Sequence, residues 1–178
     1  MFDKDHFIAD CRSALNGDRA SRQVREVVGR AVADSAAVVR GLGEPKQGGL
    51  DVLHRSSELT ILNVLWPAGM IVMPHNHALW AVIGVYNGRE DNILWRQLPE
   101  DANGRIEAAG AKTLAAGDTV AFGADVIHSV VNPLGRMTGG IHVYGGDFFA
   151  VNRNEWDPES LHERPYDMEK VLRMFARE

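Results

Sequence analysis

The chain has 178 residues, of which 45% are hydrophobic and 24% are charged, and its formal net charge is −5. This length and composition predict one soluble globular domain, residues 1–178, with a core of its own. The acidic balance and the lack of a basic run argue against nucleic acid or an anionic membrane as a partner, and no apolar stretch reaches the roughly 20 residues of a membrane span.

The first part of the chain, residues 1–43, has the residue spacing of helices. Phe7, Ile8 and Cys11 recur at helical intervals, and a second apolar stripe contains Val24, Val27, Val28, Ala31 and Val32. The first residues are charged and lack an apolar core, which predicts that they are not a signal peptide. The single cysteine, Cys11, allows no intrachain disulfide and favours a reducing cytoplasm.

A β-rich region follows the linker of residues 44–49 (EPKQGG). Short apolar or alternating runs occupy residues 50–151, among them LTILNVLW, LWAVIGVY and GGIHVYG, and Gly, Pro, Asn and Asp separate them. This pattern predicts an antiparallel β-sandwich or barrel, with the N-terminal helices packed outside it. Residues 152–178 predict an irregular segment that ends in a short helix, which Asp167 caps.

Histidines carry the chemical signal of the β region. His75 and His77 are two residues apart, so on a strand they point to the same face and can reach one metal ion. His128, from a distant strand, can complete a set of three imidazoles. An isolated strand histidine is usually structural, and the His-x-His pair alone does not decide the matter. Imidazole nitrogens suit iron, zinc, copper or nickel.

The residues around these histidines resemble the two motifs of the cupin family. The first motif here reads GMIVMPHNHALWAVIGVYNG and the second reads GDTVAFGADVIHSVVN. The anchor positions that stand in register are Gly69, His75, His77, Gly88, Gly117, His128 and Asn132. Gly123 and Asp125 replace the Pro and the second Gly of the second motif. The resemblance implies an all-β core, a double-stranded β-helix or jelly-roll barrel, with the metal ligated by His75, His77 and His128 inside it.

One departure from the cupin pattern has a chemical consequence. Ala81 stands where the family has a glutamate ligand. Three neutral histidines leave the full positive charge on the metal, which favours an anionic ligand such as a thiolate, an enolate or a carboxylate. The remaining coordination positions can hold a substrate and O₂ together.

A three-histidine cupin without the glutamate resembles the thiol dioxygenases, the group of cysteine and 3-mercaptopropionate dioxygenases. His142 and Tyr144 match the family's Ser-x-His-x-Tyr run, with Gly140 in place of the serine. Arg153, nine residues after Tyr144, matches the arginine that receives the substrate carboxylate in the bacterial branch, and Trp80 matches a tryptophan of that branch. The resemblance implies one Fe(II) per chain, with Tyr144 and His142 as catalytic residues and Arg153 and Trp80 as substrate-binding residues.

Two further positions concern the mammalian branch of that family. Its carboxylate-binding arginine lies on an earlier strand, near the place of Arg55 in this chain. Arg55 is therefore a second candidate for substrate binding. Ala81 and Val82 occupy the region of that branch's crosslinking cysteine, so no Cys–Tyr crosslink is expected. Gly140 is expected to enlarge the pocket beside His142.

Three functions are compatible with these residues. The first is a thiol dioxygenase that oxidises a small carboxylate-bearing thiol to a sulfinic acid with O₂. The second is another three-histidine cupin dioxygenase, which cleaves a diketone or enolate. The third is a non-catalytic metal-binding cupin, although structural metal sites are usually closed by four protein ligands. The expected partners are the thiol and O₂, and a homo-oligomer is compatible with exposed cupin sheet faces.

Overall fold

The computed structural model describes residues 2–176. Its α-helices are α1 (Lys4–Ser13), α2 (Ala20–Ala33), α3 (Ser35–Leu42) and α4 (Met168–Phe175). Its strands are β1 (Gly49–Arg55), β2 (Thr60–Trp66), β3 (Ile71–Asn76), β4 (Ala81–Asn87), β5 (Arg89–Gln97), β6 (Ile106–Ala115), β7 (Thr119–Phe122), β8 (Ile127–Val131), β9 (Thr138–Tyr144), β10 (Asn154–Trp156) and β11 (Glu163–Pro165).

The strands form two antiparallel sheets whose order defines the fold. One sheet has the order β1-β2-β9-β4-β7 and the other has the order β11-β10-β3-β8-β5-β6. Strands β2, β9, β4 and β7 therefore face β3, β8, β5 and β6, and every pairing among them is antiparallel. Eight strands divided in this way between two sheets form a jelly roll. The predicted double-stranded β-helix is confirmed.

The N-terminal helices pack on the outer face of the five-stranded sheet, as predicted. The side chain of Asp3 accepts a hydrogen bond from the first turn of α1, and Asp34 does the same for α3. Helix α2 lies close to β4 because Gly84 has no side chain, and a Cβ atom there would collide with Val28. Cys11 is fully buried in this layer, and burial raises the pKa of its thiol to about 12.

The apolar residues of the protein form two large clusters on either side of the five-stranded sheet. The inner cluster fills the barrel and includes Leu62, Ile83 and Tyr144. The outer cluster joins the sheet to the N-terminal helices and includes Ile61 and Val143. Neighbouring residues of one strand thus belong to different clusters, as the alternation of a strand requires.

The C-terminal segment extends the second sheet and covers one side of the barrel. The sequence predicted an irregular chain after residue 151, whereas β10 pairs with β3 and β11 pairs with β10. Asp167 caps α4 as predicted, since its side chain accepts a hydrogen bond from the amide of Lys170. Val171 and Phe175 of this helix pack into the inner cluster. No helix within residues 2–176 is long and apolar enough to cross a membrane.

Candidate metal centre

Three histidines converge inside the barrel. His75 lies on β3 directly opposite His128 of β8, and His77 follows the end of β3. The ring centroids are 4.7 Å apart for His75 and His128, 4.8 Å for His77 and His128, and 5.2 Å for His75 and His77. One nitrogen of each ring lies within 4.8 Å of the nitrogens of the other two. The structure therefore brings together the three residues that the motif spacing selected.

In two of these rings, the nitrogen that points away from the other histidines is held by a hydrogen bond. His75 Nδ1 donates to the carbonyl of Met73 at 2.9 Å, and His128 Nδ1 donates to Asn92 Oδ1 at 2.7 Å. Each neutral ring then has its lone pair at Nε2. The Nε2 atoms of His77 and His128 are 3.2 Å apart. Nitrogens that converge in this way, with the other ring nitrogen bonded to an oxygen, fit the donor set of a bound transition metal.

Burial keeps the three imidazoles neutral. It lowers the pKa of His75 to about 4, and it lowers the pKa values of His77 and His128 well below the ordinary value of 6.5. A neutral imidazole is the form that binds a metal. Among residues 2–176, the cluster that can hold a metal contains these three histidines and no carboxylate. Ala81, at the position of the family's glutamate, is buried between the strands of Phe122 and Tyr144.

A small and largely apolar cavity adjoins the three histidines. Its volume is about 30 Å³, which is room for roughly two water molecules. The C-terminal residues Tyr166, Val171 and Phe175 form part of its wall. The other lining residues are Leu50, Leu62, Val64, Trp66, Val72, His75, His77, His128, Val130, His142, Tyr144 and Phe148.

Tyr144 and His142 face this cavity, as the alternation of β9 predicts. The Tyr144 hydroxyl oxygen is 3.2 Å from His142 Nδ1, and the Tyr144 ring centroid is 5.0 Å from that of His77. Burial raises the pKa of Tyr144, so its hydroxyl keeps its proton over the ordinary pH range. The site thus holds a protonated hydroxyl beside the candidate metal ligands.

Two polar residues of the site were missed by the sequence analysis. Glu90 and Asn92 lie on β5 and both are fully buried. Glu90 accepts hydrogen bonds from His142, Trp66 and Asn92, and Asn92 in turn accepts one from His128. The sequence signal that could have identified them is their spacing. Glu90 and Asn92 are two residues apart, so on a strand both side chains point to the same face, and β5 pairs with the buried strand β8. That signal is weak, because most such alternations belong to a strand with one face in water.

Gly140 does not open a larger pocket. A Cβ atom at this position would lie 3.3 Å from His142 Nε2, so the His142 ring already fills the space beside the glycine. That nitrogen is 3.1 Å from Glu90 Oε2. The expectation of extra room at Gly140 was wrong, because the imidazole and the buried carboxylate occupy it.

Arg153 lies behind the cavity wall and is buried, with 8% of its surface exposed. Its guanidinium is stacked between the rings of Phe148 and Tyr166, at 4.0 Å and 4.2 Å from their centroids. Nη1 donates to the carbonyl of Phe148. Nε and Nη2 have no hydrogen-bond partner among the described residues. A buried guanidinium with unpaired N–H groups is suited to bind an anion.

Arg55 and Trp80 lie outside the cavity, contrary to their predicted contact with substrate. Arg55 is exposed and makes a two-bonded ion pair with Asp147, at 2.9 Å and 3.0 Å. Trp80 packs over Gly145 and against the outer cluster. The tryptophan that lines the cavity is Trp66, from β2. Arg55 is the last residue of β1 and Trp80 precedes the first residue of β4, and side-chain direction at such strand boundaries depends on the adjoining loop.

The fold and the site together define a jelly-roll protein with a three-histidine cluster in its barrel. No family model matches the chain. Its solved structural neighbours include a cupin protein. An RmlC-like cupin family protein from Methanocaldococcus jannaschii has a double-stranded β-helix fold and is 12% identical, with a TM-score of 0.47 over 60% of this chain and 86% of the other.

Two enzymes are also among the neighbours. A DMSP lyase from Ruegeria pomeroyi is 19% identical, with a TM-score of 0.45 over 59% of this chain and 46% of the other. Oxalate decarboxylase from Bacillus subtilis, which contains Mn(II) centres, is 20% identical, with a TM-score of 0.41 over 53% of this chain and 22% of the other. This chain therefore spans less than half of either enzyme. Identities this low transfer no activity.

Proposed function

We propose that the protein is a non-haem iron(II) dioxygenase of the three-histidine type, which oxidises a small carboxylate-bearing thiol to a sulfinic acid with O₂. The observation that carries the proposal is the buried set of His75, His77 and His128, which have no carboxylate among them and adjoin the Tyr144 ring. His75, His77 and His128 would hold the iron(II), which would supply the Lewis-acid and redox chemistry for a thiolate and O₂. Both oxygen atoms of O₂ enter the product, so no further reductant is needed.

Charge supports an anionic substrate. Three neutral imidazoles leave the charge of a divalent ion uncompensated, and the Arg153 guanidinium adds a second positive charge nearby. Its influence, though smaller than that of burial, lowers the pKa values of His75, His77 and Tyr144. A substrate with a thiolate at one end and a carboxylate at the other matches these two charges. Arg153 is favoured over Arg55 as the carboxylate partner because Asp147 already neutralises Arg55.

Tyr144 is proposed to hold a proton at the reacting end of the substrate. Tyr144 lines the cavity, and its hydroxyl is bonded to His142 and stays protonated because burial raises its pKa. A hydroxyl held in a low-dielectric cavity stabilises negative charge that develops on a neighbouring oxygen. His142 orients this hydroxyl through its Nδ1 atom.

The small volume and the apolar lining of the cavity support the exclusion of water from the site. A volume of about 30 Å³ admits only a few atoms beside the histidines, and most of the lining is aliphatic or aromatic. Such a dry site strengthens the electrostatic contacts within it.

A second function is favoured by one specific observation. Arg153 lies behind the Phe148 and Tyr166 rings and does not line the cavity itself. An enolate or diketone, bound through two oxygens at the metal, needs no carboxylate partner and suits the apolar lining. A dioxygenase that cleaves such a compound is therefore the alternative. A non-catalytic metal-binding cupin is the third reading, and the lack of a fourth protein ligand in the described cluster counts against it.

The test is anaerobic loading with Fe(II), followed by O₂ consumption with cysteine, 3-mercaptopropionate, cysteamine and acetylacetone. Consumption with a carboxylate thiol and formation of its sulfinic acid support the proposal. Consumption with acetylacetone alone supports the alternative, and none with any of the four supports a non-catalytic cupin. Parallel loading with Mn(II) and Zn(II) tests whether iron is the active metal.

The setting of the activity is part of the same proposal. We expect the protein to act as one domain in the cytoplasm, where the buried Cys11 remains a thiol. Its partners are the thiol and O₂, without nucleic acid or membrane, and a homo-oligomer is expected to leave the cavity open to substrate. Light scattering and cell fractionation measure these properties.

A further inference from the structure

Glu90 is a fully buried carboxylate surrounded by N–H donors. Its Oε2 atom accepts from Trp66 Nε1 at 3.0 Å and from His142 Nε2 at 3.1 Å, and its Oε1 atom accepts from Asn92 Nδ2 at 3.1 Å. An indole N–H can only donate a hydrogen bond, so this partner requires an acceptor at Oε2. Burying a charge is costly unless it is paired or well hydrogen-bonded, and three donors meet that need here.

The direction of each hydrogen bond follows from this carboxylate. Because an ionised carboxylate only accepts, Asn92 turns its amide nitrogen toward Glu90 and its oxygen toward His128. The Nδ1 atom of His128, 2.7 Å from that oxygen, must then carry the hydrogen. The lone pair of the neutral ring is left at Nε2, the atom that faces His77.

The same reasoning applies on the other side of the carboxylate. His142 donates from Nε2 to Glu90, so in the neutral ring Nδ1 has the lone pair and accepts the Tyr144 hydroxyl. One buried group is thus connected to the ligand His128 through Asn92 and to the hydroxyl of Tyr144 through His142. The branch through Asn92 and the branch through His142 meet at Glu90.

We propose that Glu90 is a positioning residue that fixes the tautomers of two histidines, His128 through Asn92 and His142 directly. The proposal deepens the proposed function, but it rests only on the metal-binding part and not on thiol chemistry. Its consequence is that Nε2 of His128 is held free for a metal. Partners that orient a metal-binding histidine typically change metal affinity by about 10–100-fold when they are mutated.

The informative variant is Glu90→Gln, which keeps the shape of the side chain. Its amide oxygen can still accept from His142 and Trp66, but its amide nitrogen then meets the amide nitrogen of Asn92. Asn92 relieves this contact by turning over, which presents its nitrogen to His128 Nδ1. That atom must then accept, and the hydrogen moves to Nε2, where it blocks metal binding.

The rescuing variant exchanges the two groups, as Glu90→Gln with Asn92→Asp. The glutamine nitrogen donates to the new carboxylate, and that carboxylate accepts from His128 Nδ1. His142 and Trp66 still meet an acceptor at position 90. All hydrogen bonds are restored with the native tautomer of His128, so this double variant should recover what the single variant loses.

Glu155→Gln is the matched control. Glu155 is also a buried glutamate of the six-stranded sheet, and although it lies opposite His75 in the strand pairing, its side chain hydrogen-bonds to Arg164, Lys170 and the Asp167 amide and to no histidine. The four proteins are compared by long-range ¹H–¹⁵N correlation spectra of the imidazole nitrogens without metal. Fe(II) and Zn(II) affinities are then measured by competition with a chelator.

In the wild type, His128 should be the Nδ1–H tautomer. In Glu90→Gln it should be the Nε2–H tautomer, and metal binding should be about 10–100-fold weaker. The double variant should recover the wild-type tautomer and the wild-type metal affinity. Glu155→Gln should leave both unchanged. The proposal is overturned by an Nε2–H tautomer in the wild type, by an unchanged tautomer in Glu90→Gln, or by equal losses in the double variant or the control. If Glu90→Gln does not fold, the wild type and the double variant decide.

If the wild type shows the expected tautomers but binds no metal, this inference is supported. The proposed function is then contradicted, because it requires a bound metal. If the wild type binds metal but the histidine tautomers do not change when residue 90 is substituted, this inference is overturned and the proposed function is not.

Discussion

The inner and outer faces of the five-stranded sheet use the same strands for different purposes. On β9, Ile141 and Val143 point outward into the cluster shared with the N-terminal helices, while His142 and Tyr144 point inward to the cavity. The outer face is joined by apolar packing. The inner face adds a chain of buried hydrogen bonds that runs from Tyr144 and His142 to Glu90, Asn92 and His128 of the opposite sheet. Packing tolerates exchange of similar volumes, whereas a hydrogen-bond chain depends on every member.

The largest effect on the cavity that the inner face lines should come from removing a metal ligand on the opposite sheet. His128→Ala should lower metal affinity by more than about 100-fold, since even residues that only orient a ligand are worth about 10–100-fold. Metal content after dialysis measures the loss, and circular dichroism should show that the barrel is still folded. Retention of stoichiometric metal in His128→Ala would remove the basis of the metal centre.

Tyr144→Phe tests the inner face without touching a ligand. It removes the hydroxyl that is bonded to His142, so turnover of a carboxylate thiol should fall on the order of 100-fold. Metal content should remain as in the wild type, and the free energy of unfolding should change by only about 0.5–1.5 kcal/mol. An unchanged kcat would exclude Tyr144 from the reaction.

Arg153→Ala should separate substrates by their charge. The Michaelis constant for 3-mercaptopropionate should rise by about 10–100-fold, because a charged hydrogen bond contributes about 1.5–3 kcal/mol, while that for cysteamine, which has no carboxylate, changes little. Arg55→Ala is the matched control, since Arg55 is paired with Asp147 at the surface. Equal effects of Arg153→Ala on both thiols would contradict the carboxylate role.

The cavity and the outer face of the five-stranded sheet should also differ in how their stability responds to pH. Burial lowers the pKa of His75 from 6.5 to about 4, so the unfolded chain binds more protons than the folded one between these values. The histidines' contribution to stability is therefore present above pH 6.5 and is lost as the pH falls toward 4. Urea unfolding of the metal-free protein from pH 8 to pH 4 measures this loss in the free energy of unfolding.

At the outer face, stability should change with pH in the opposite direction. Burial raises the pKa of Cys11 from 9.0 to about 12, so its contribution is present below pH 9 and is lost as the pH rises toward 12. The difference between the wild type and Cys11→Ala from pH 7 to pH 10.5 should shrink as the pH increases. A difference that grows with pH would show that the thiol is not buried as described.

The smallest effect on the metal centre should come from the outer face. Val28→Ala removes buried methyl groups that pack against β4, so the free energy of unfolding should fall by about 1.5–3 kcal/mol. Metal affinity and turnover should stay at wild-type values. A parallel loss of metal would show that the two faces are coupled through the sheet.

Local periodicity is what the sequence determined by itself. The switch from helical spacing to short alternating runs predicted the helical layer and the barrel, because side-chain direction repeats with the period of the backbone. The same rule selected His75 and His77, and it placed His142 and Tyr144 on one face. Each of these inferences needs only residues close together in the chain, apart from His128, which the motif spacing supplied.

Only the tertiary structure decided which distant residues share the cavity. Glu90 and Asn92 enter the site because β5 lies next to β8, and Tyr166 and Phe175 enter because the C-terminal segment folds back over the barrel. Trp66 replaces Trp80, and Arg153 is buried while Arg55 pairs at the surface. Strand pairing and the paths of loops set these contacts. No local period encodes them, because they depend on which elements become neighbours.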